Sequence, residues 1–200
     1  MSTCFNVDST EPDSFIKIRD YLYNELKPII KSNRNIIFLC IGTDRSTGDS
    51  LGPLIGYKLR YLKKKNFYIY GNLANPIHSK NIEIIINRIY ENFENPFIIA
   101  IDACLGSFQN IGKIFIDKVP LHPGLAVNKN LPPIGDMSIT GIVNISGSFE
   151  FMVLQNTKLY TVMTLADCVS SGIYHFILKS SGNNNSSAQD VQEIITFPNI

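Results

Sequence analysis

The chain has 200 residues, 44% of them hydrophobic and 18% charged, with a formal net charge of +1. That is the length and composition of one folded domain with a substantial core, neither disordered nor fibrous. So balanced a charge gives no electrostatic reason to expect a nucleic acid or an anionic membrane surface as partner.

Four cysteines (Cys4, Cys40, Cys104, Cys168) are widely spaced with no CxxC pair, which predicts free, reduced thiols and a cytoplasmic protein. The N-terminal stretch MSTCFNVDSTEPD lacks the basic and apolar regions of a secretory signal. No run of the sequence reads as the roughly 20 apolar residues of a membrane span.

Apolar residues at helical spacing predict a first helix over Ser14–Lys31. NIIFLCI (Asn35–Ile41) is a continuous apolar run of strand length, as expected of a central strand covered on both faces. Helical periodicity resumes in SLGPLIGYKLRYLKK, where Pro53 is tolerated because it falls in the first turn. The basic run KLRYLKKK in it reads as a solvated face near the negative end of the helix dipole. A second strand is predicted over Asn66–Gly71, a second helix over Ser79–Phe93 and a third strand over Pro96–Asp102. Further strands are predicted over Gly112–Val119 and Met137–Ile145, followed by two closing helices in FEFMVLQ and TKLYTVMTLADCVSSGIYHFILKS. Alternation of this kind predicts a doubly wound α/β domain over residues 1–180, its mostly parallel sheet carrying helices on both faces. Residues 181–200, beginning SGNNNSSAQD, read as a flexible tail.

In an open parallel sheet, ligands bind beyond the carboxyl ends of the strands where strand order reverses. If the first three predicted strands lie in the order 2-1-3, that point falls between the first and the third. The first leads into GTDRSTGD and the third reaches Asp102, so Asp49 and Asp102 are expected to face each other. Two neighbouring carboxylates do not both ionise cheaply; one serves as general base on water while the other, protonated, polarises a carbonyl. Alternatively both stay ionised around a divalent metal. A helix N-terminus beside Asp49 favours its charged form, whereas the apolar FIIAI before Asp102 makes that residue the more readily protonated.

Other chemistries fit less well. Gly42 and Gly48 are one residue too far apart for a P-loop, and Asp49 stands where that loop has lysine. Ser46 and Ser50 lack an evident histidine–acid arrangement. Simple helix capping by Thr47 or Asp49, with Asp102 capping a turn of its own, explains each aspartate singly. It leaves unexplained why Thr43, Asp44, Arg45, Ser46, Thr47 and Asp49 crowd one loop. Arg45 is expected to ion-pair with Asp44 or to bind a peptide carboxylate. Asp136 and Thr140, in GDMSITG, either line the same crevice or serve a turn. His78 and His175 read as helix histidines.

CIGTDRSTGDSLGP, DACLG, HPGLAVNKNLPPIGDMSITGIVN and FMVLQNTKL, in that order, resemble the sporulation protein family called YyaC, from about Asn35 to Ser180. That family is in turn similar to the spore germination protease and, more distantly, to the hydrogenase maturation proteases. The resemblance implies a phosphorylase/hydrolase-like α/β fold and a peptidase acting on a protein or peptide. Asp49, seven positions after Gly42 and before SLGP, matches the catalytic aspartate of the germination protease; Asp102, in an IDA context, matches its second. Gly42, Thr43, Asp44, Arg45, Gly48, Asp136 and Thr140 are then candidates for substrate binding. Thr43 stands where both protease families favour asparagine, and Gly48 where a proline is usual. The maturation proteases use acidic residues at these two positions, plus a histidine, to bind nickel, which makes Asp49, Asp102 and His122 the alternative, metal-holding set. PGLAVNK (Pro123–Lys129) resembles a Pro-Gly-rich loop of the germination protease. No cofactor is otherwise expected; a homo-oligomer is left open. The non-catalytic alternative is a sporulation factor that keeps the crevice to bind a peptide or protein.

Overall fold

The computed structural model describes residues 4–122 and 132–181. The PGLAVNK loop and, apart from Ser181, the tail expected over 181–200 lie outside these residues.

Six strands form one sheet: β1 (Phe5–Asp8), β2 (Ile36–Cys40), β3 (Phe67–Tyr70), β4 (Phe97–Gly106), β5 (Lys113–Asp117) and β6 (Met137–Ile145), ordered β1-β5-β6-β4-β2-β3. β6, β4, β2 and β3 are parallel neighbours, and β5 runs antiparallel to both β6 and β1. The expected 2-1-3 arrangement is present as β3-β2-β4.

Helices α1 (Ser14–Lys31), α2 (Leu51–Leu59) and α5 (Leu159–Ser180) cover one face; α3 (Ile82–Asn92) covers the other. Alternation along the strands divides the core accordingly. Ile36, Phe38 and Cys40 of β2 pack with Ile99 and Ile101 of β4 against Ile18, Leu22, Ile55, Val169 and Phe176. Ile37 and Leu39, with Ile98 and Ala100, pack against Ile82 and Ile89. The short α4 (Glu150–Gln155) sits beyond the carboxyl end of β6 and reaches the core through Leu154.

Three elements depart from expectation. β1 is absent from the sequence reading; it has four residues and buries only Val7, too short for a periodic signal, and is held by its ladder to β5. β4 does not stop at Asp102, because β6 continues to pair with it from Ala103↔Gly141 to Gly106↔Ile145. α5, at 22 residues, is long and apolar enough by length and composition to cross a membrane. Its buried stripe, Val162 through Ile177, packs instead against α1, α2 and the sheet, which accounts for that apolar character.

Candidate active site

The loop after β2 begins while the chain is still bonded into the sheet. Ile41 donates its N–H to the Ile101 carbonyl (2.8 Å) and Gly42 to that of Ile77 (2.7 Å). The loop then closes on itself: Thr43 N–H donates to the Asp49 carbonyl at 3.0 Å, and Asp49 N–H to that of Ser46 at 3.1 Å. Gly42 takes φ 137°, and a Cβ there would overlap the Asp49 carbonyl. Glycine alone permits both. Gly48 serves a different purpose: a Cβ on it would meet Leu154 and the Thr157 hydroxyl at 2.8 Å, so its bareness lets the loop lie against the α4–α5 turn.

Asp49 lies within a single 3-10 turn, Gly48–Ser50, that leads into α2. The capping explanation fails here. Neither Thr47 nor Ser50 makes a side-chain cap, Ser50 Oγ donating back to the Thr47 carbonyl at 2.7 Å. Asp102 stands in mid-strand and begins no helix. Asp44 and Arg45 are exposed, and the expected ion pair between them is absent. Solvent accounts for this, since a pair between exposed neighbours gains little over hydration. Arg45 is held through its backbone N–H, which donates to Thr43 Oγ1 at 3.3 Å.

Asp102 is 7% exposed. It follows directly on the last rung shared with β2, Cys40↔Ile101, and lies beside Thr140 across the β4–β6 ladder. Ala103 N–H donates to its Oδ1 at 2.8 Å. Burial first, and then the charge of Asp49, push the Asp102 carboxyl well above its ordinary range. The two acids therefore lie within one electrostatic field, at the switch point of the sheet.

Burial also pushes Asp49 up to about 6, with a backbone hydrogen bond from Thr43 opposing the rise. The expectation that the helix N-terminus would favour its charged form is corrected. The turn runs on into α2, but desolvation of the carboxyl outweighs what the aligned dipoles of that helix supply. The order of the two acids is as expected, Asp102 being the more readily protonated.

Gly42, Thr43 and Gly48 shape the turn that holds Asp49, and Thr140 adjoins Asp102. Asp136 is elsewhere. Its Oδ2 accepts the Ile98 N–H at 2.8 Å, its own N–H donates to the Ile98 carbonyl at 2.7 Å, and Arg34 approaches it at 3.9 Å. It ties the amino ends of β4 and β6, so its assignment to the crevice is corrected in favour of a structural clamp. His122 is exposed and follows Leu121, whose main chain pairs with Ile134. Among the described residues no three of His, Cys, Asp and Glu are grouped to hold a metal ion.

Two residues near the pair, Cys104 and Glu150, are not singled out as site candidates from sequence, and Ser46 is marked there only as a serine without catalytic partners. Cys104 lies two positions beyond Asp102 on the same face of β4. The residue is exposed at its surface, yet partial desolvation of the thiol, then the charges of Asp102 and of Glu150 at the start of α4, push it up. Ser46 Oγ is buried in the loop without a hydrogen-bond partner among the described residues. The strand period of two could have flagged Cys104; nothing in the sequence marks Glu150, or shows that the Ser46 hydroxyl is buried.

Residues 6–172 match the family model described as "Protein of unknown function (DUF1256)". The chain belongs to this family. It is also 44% identical over 167 residues to "Uncharacterized protein YyaC" of Bacillus subtilis (strain 168), covering 84% of this chain and 80% of that protein. The sequence resemblance to YyaC stands on that identity. Among solved structures, the DUF1256 chain is similar to the [NiFe] hydrogenase maturation protease HycI from Thermococcus kodakarensis KOD1. The TM-score is 0.52 at 18% identity, covering 77% of this chain and 99% of that one. Identity at that level carries the fold alone, and the fold is like that of this maturation protease.

Proposed function

We propose that this DUF1256 protein is a sporulation-associated, peptidase-like protein whose Asp49–Asp102 pair activates water against a peptide bond. One observation supports it above the rest. A nearly buried carboxyl, raised by burial and by its neighbour's charge, faces a second acid at the sheet's switch point. Of the two, Asp49 is the more readily ionised and Asp102 the more readily protonated, and the scheme uses them in those states. Asp49 takes a proton from water as the oxygen attacks the carbonyl carbon, and Asp102 donates a hydrogen bond to the carbonyl oxygen as charge develops there. Collapse of the tetrahedral intermediate expels the amine, protonated by the acid that holds the transferred proton. No metal is required in this scheme. The sporulation context rests on the resemblance of the four motifs to the YyaC family.

The test is incubation of the full chain with a mixture of synthetic peptides and mass-spectrometric detection of new termini. Cleavage by the natural chain and its loss in both Asp49→Asn and Asp102→Asn is the expected result. Cleavage surviving in either variant, or absent from the natural chain, overturns the proposal. Peptide capture without cleavage would favour the binding-module alternative.

A further inference from the structure

β4 outlasts β2. Its β2 side is paired through Ile101, whose carbonyl accepts from Ile41. Gly42 next donates its N–H to the opposite side, to Ile77. Among the described residues no rung joins β2 to β4 beyond Ile101, although the 3-10 turn carrying Asp49 comes back to lie near β4. Beyond that point β4 continues for five more residues, Asp102 to Gly106, paired with β6. The direction of each main-chain group follows from the ladder. Ile98 and Gly106 turn their carbonyls toward the β6 side, where Asp136 and Ser146 donate to them. On the β2 side, Phe97 donates its N–H to the Asn35 carbonyl and Ile101 accepts from Ile41. Alternation therefore aims the N–H and C=O groups of Ala103 and Leu105 to the side on which β2 has ended. The irregularity between Cys104 and Leu105 adds its extra residue, Val143, to β6 and leaves this alternation intact.

Of those four groups, Ala103 N–H is taken by the Asp102 carboxyl and, among the described residues, Leu105 C=O accepts only the Cys104 thiol, at 3.3 Å. Ala103 C=O and Leu105 N–H have no hydrogen-bond partner among the described residues. An acceptor and a donor two residues apart on one strand edge fit an added strand, since an extended chain repeats its own groups at that spacing. The surroundings suit a peptide. Ala103 and Leu105 are half-buried against the core, Cys104 is exposed on the other face, and Phe149, Phe151 and Met152 around the start of α4 are 78, 64 and 58% exposed. Glu150, next to those side chains, acts electrostatically on Cys104, which brings that apolar cluster to the same end of β4.

We infer that the notch beside Ala103–Leu105 is a docking edge for an extended, apolar segment of another polypeptide. The segment adds to the sheet where β2 stops and carries its backbone past Asp102. The inference rests on the peptidase-like reading for its choice of partner and deepens it by naming how the peptide is held. Affinity comes from main-chain hydrogen bonds, so the edge accepts many sequences; alternate side chains then meet either the Leu105 face or the Asp102–Cys104 face.

A library of capped hexapeptides built from Val, Ile, Leu, Phe, Thr and Lys is the probe, screened against the full chain carrying Asp49→Asn so that no bound peptide is consumed. Peptides are expected to bind at concentrations below about 1 mM. N-methylation at alternate residues should weaken them about tenfold by removing one main-chain bond. Leu105→Pro, which deletes the donor, should abolish binding, and Leu105→Ala, which keeps it, should retain it. Because the proline variant could fail to fold, amide hydrogen exchange supplies an independent reading. The Leu105 amide should exchange rapidly in the dilute free chain and slow when peptide is added. Absence of any binding peptide, equal affinity of the N-methylated forms, or a Leu105 amide already protected in the free chain overturns the inference. So does protection that rises with protein concentration alone, which would assign the edge to a second copy. Peptides that protect Leu105 yet are never cleaved by the natural chain sink the peptidase reading and leave the docking edge standing; cleavage without Leu105 protection does the reverse.

Discussion

The main-chain carbonyl of Asp49 lies against the α-carbon of Gly42, in the space any side chain at that position would occupy. The contact joins the end of β2 to the turn carrying the first acid, and Gly42 reaches it through a φ of 137° that L side chains rarely adopt. Gly42→Ala must therefore displace the Asp49 backbone as well as strain its own. The expected cost is about 3 kcal/mol or more, by the combination of backbone strain and steric overlap. Urea unfolding measures it, and any peptide cleavage should fall with it. A variant within about 0.5 kcal/mol of the natural chain would show that the loop has another way to close.

Asp49 also weighs against stability at neutral pH. Burial raises its folded-state pKa to about 6, above the value near 3.9 expected of an unfolded chain. Between those values the native state binds the proton more tightly than the unfolded one, so stability falls as pH rises from about 4 to about 6 and stays lowered above that. Asp49→Asn removes the penalty. It should stabilise the protein by about 1–3 kcal/mol at pH 7, given that Asp49 is partly exposed, and by little at pH 4. Denaturation curves at the two pH values test this; equal effects at both would place the carboxyl in an ordinary solvated setting.

If the pair acts on a peptide with Asp49 as base, its ionisation sets the acid limb. The rate should rise through an apparent pKa near 6, where Asp49 loses its proton. It should fall again at higher pH as Asp102, held well up by burial and by Asp49, gives up its own. The two limbs belong to the coupled pair rather than to single residues. Cleavage by the natural chain, followed across the pH range, checks both limbs. A rate that does not rise near pH 6, or that shows no fall on the alkaline side, takes the roles of base and acid away from this pair.

Much of this architecture is legible in the sequence for physical reasons that differ between elements. The five residues of β2 are all buried, so their apolar run is uninterrupted, and α1 repeats its buried positions Ile18, Leu22 and Leu26 at the helical spacing. The convergence of Asp49 and Asp102 follows from chain direction and strand order alone. The misses are of another kind. β1 has only one buried residue to announce it, and the extension of β4 past Asp102 depends on a partner, β6, some forty residues later. Asp136 shares with the site residues a glycine and a short polar run, and only the ladder shows that it caps the opposite end of the strands. Single-residue chemistry gave no sign that burial would overrule the helix terminus at Asp49, because burial is a property of the whole fold.

Asp136 offers the complementary experiment, since it bonds to Ile98 from the amino end of β6 while Asp102 lies four residues further along β4. At ~3.3 Å per residue that separation is about 13 Å, too far for Asp136 to touch the bond that reacts at Asp102. Replacing it by alanine leaves the Ile98 N–H without its acceptor and loosens Arg34, which is held as well by the carbonyls of Asn95 (2.6 Å) and Pro96 (3.0 Å). The expected loss is about 1–2 kcal/mol of stability, the value of one partly buried hydrogen bond to a charged group. Peptide cleavage per folded molecule should be unchanged. Thermal melting and turnover measured on the same sample separate the two effects. A variant of natural stability whose turnover is lost would return Asp136 to the crevice from which its hydrogen bonds now remove it.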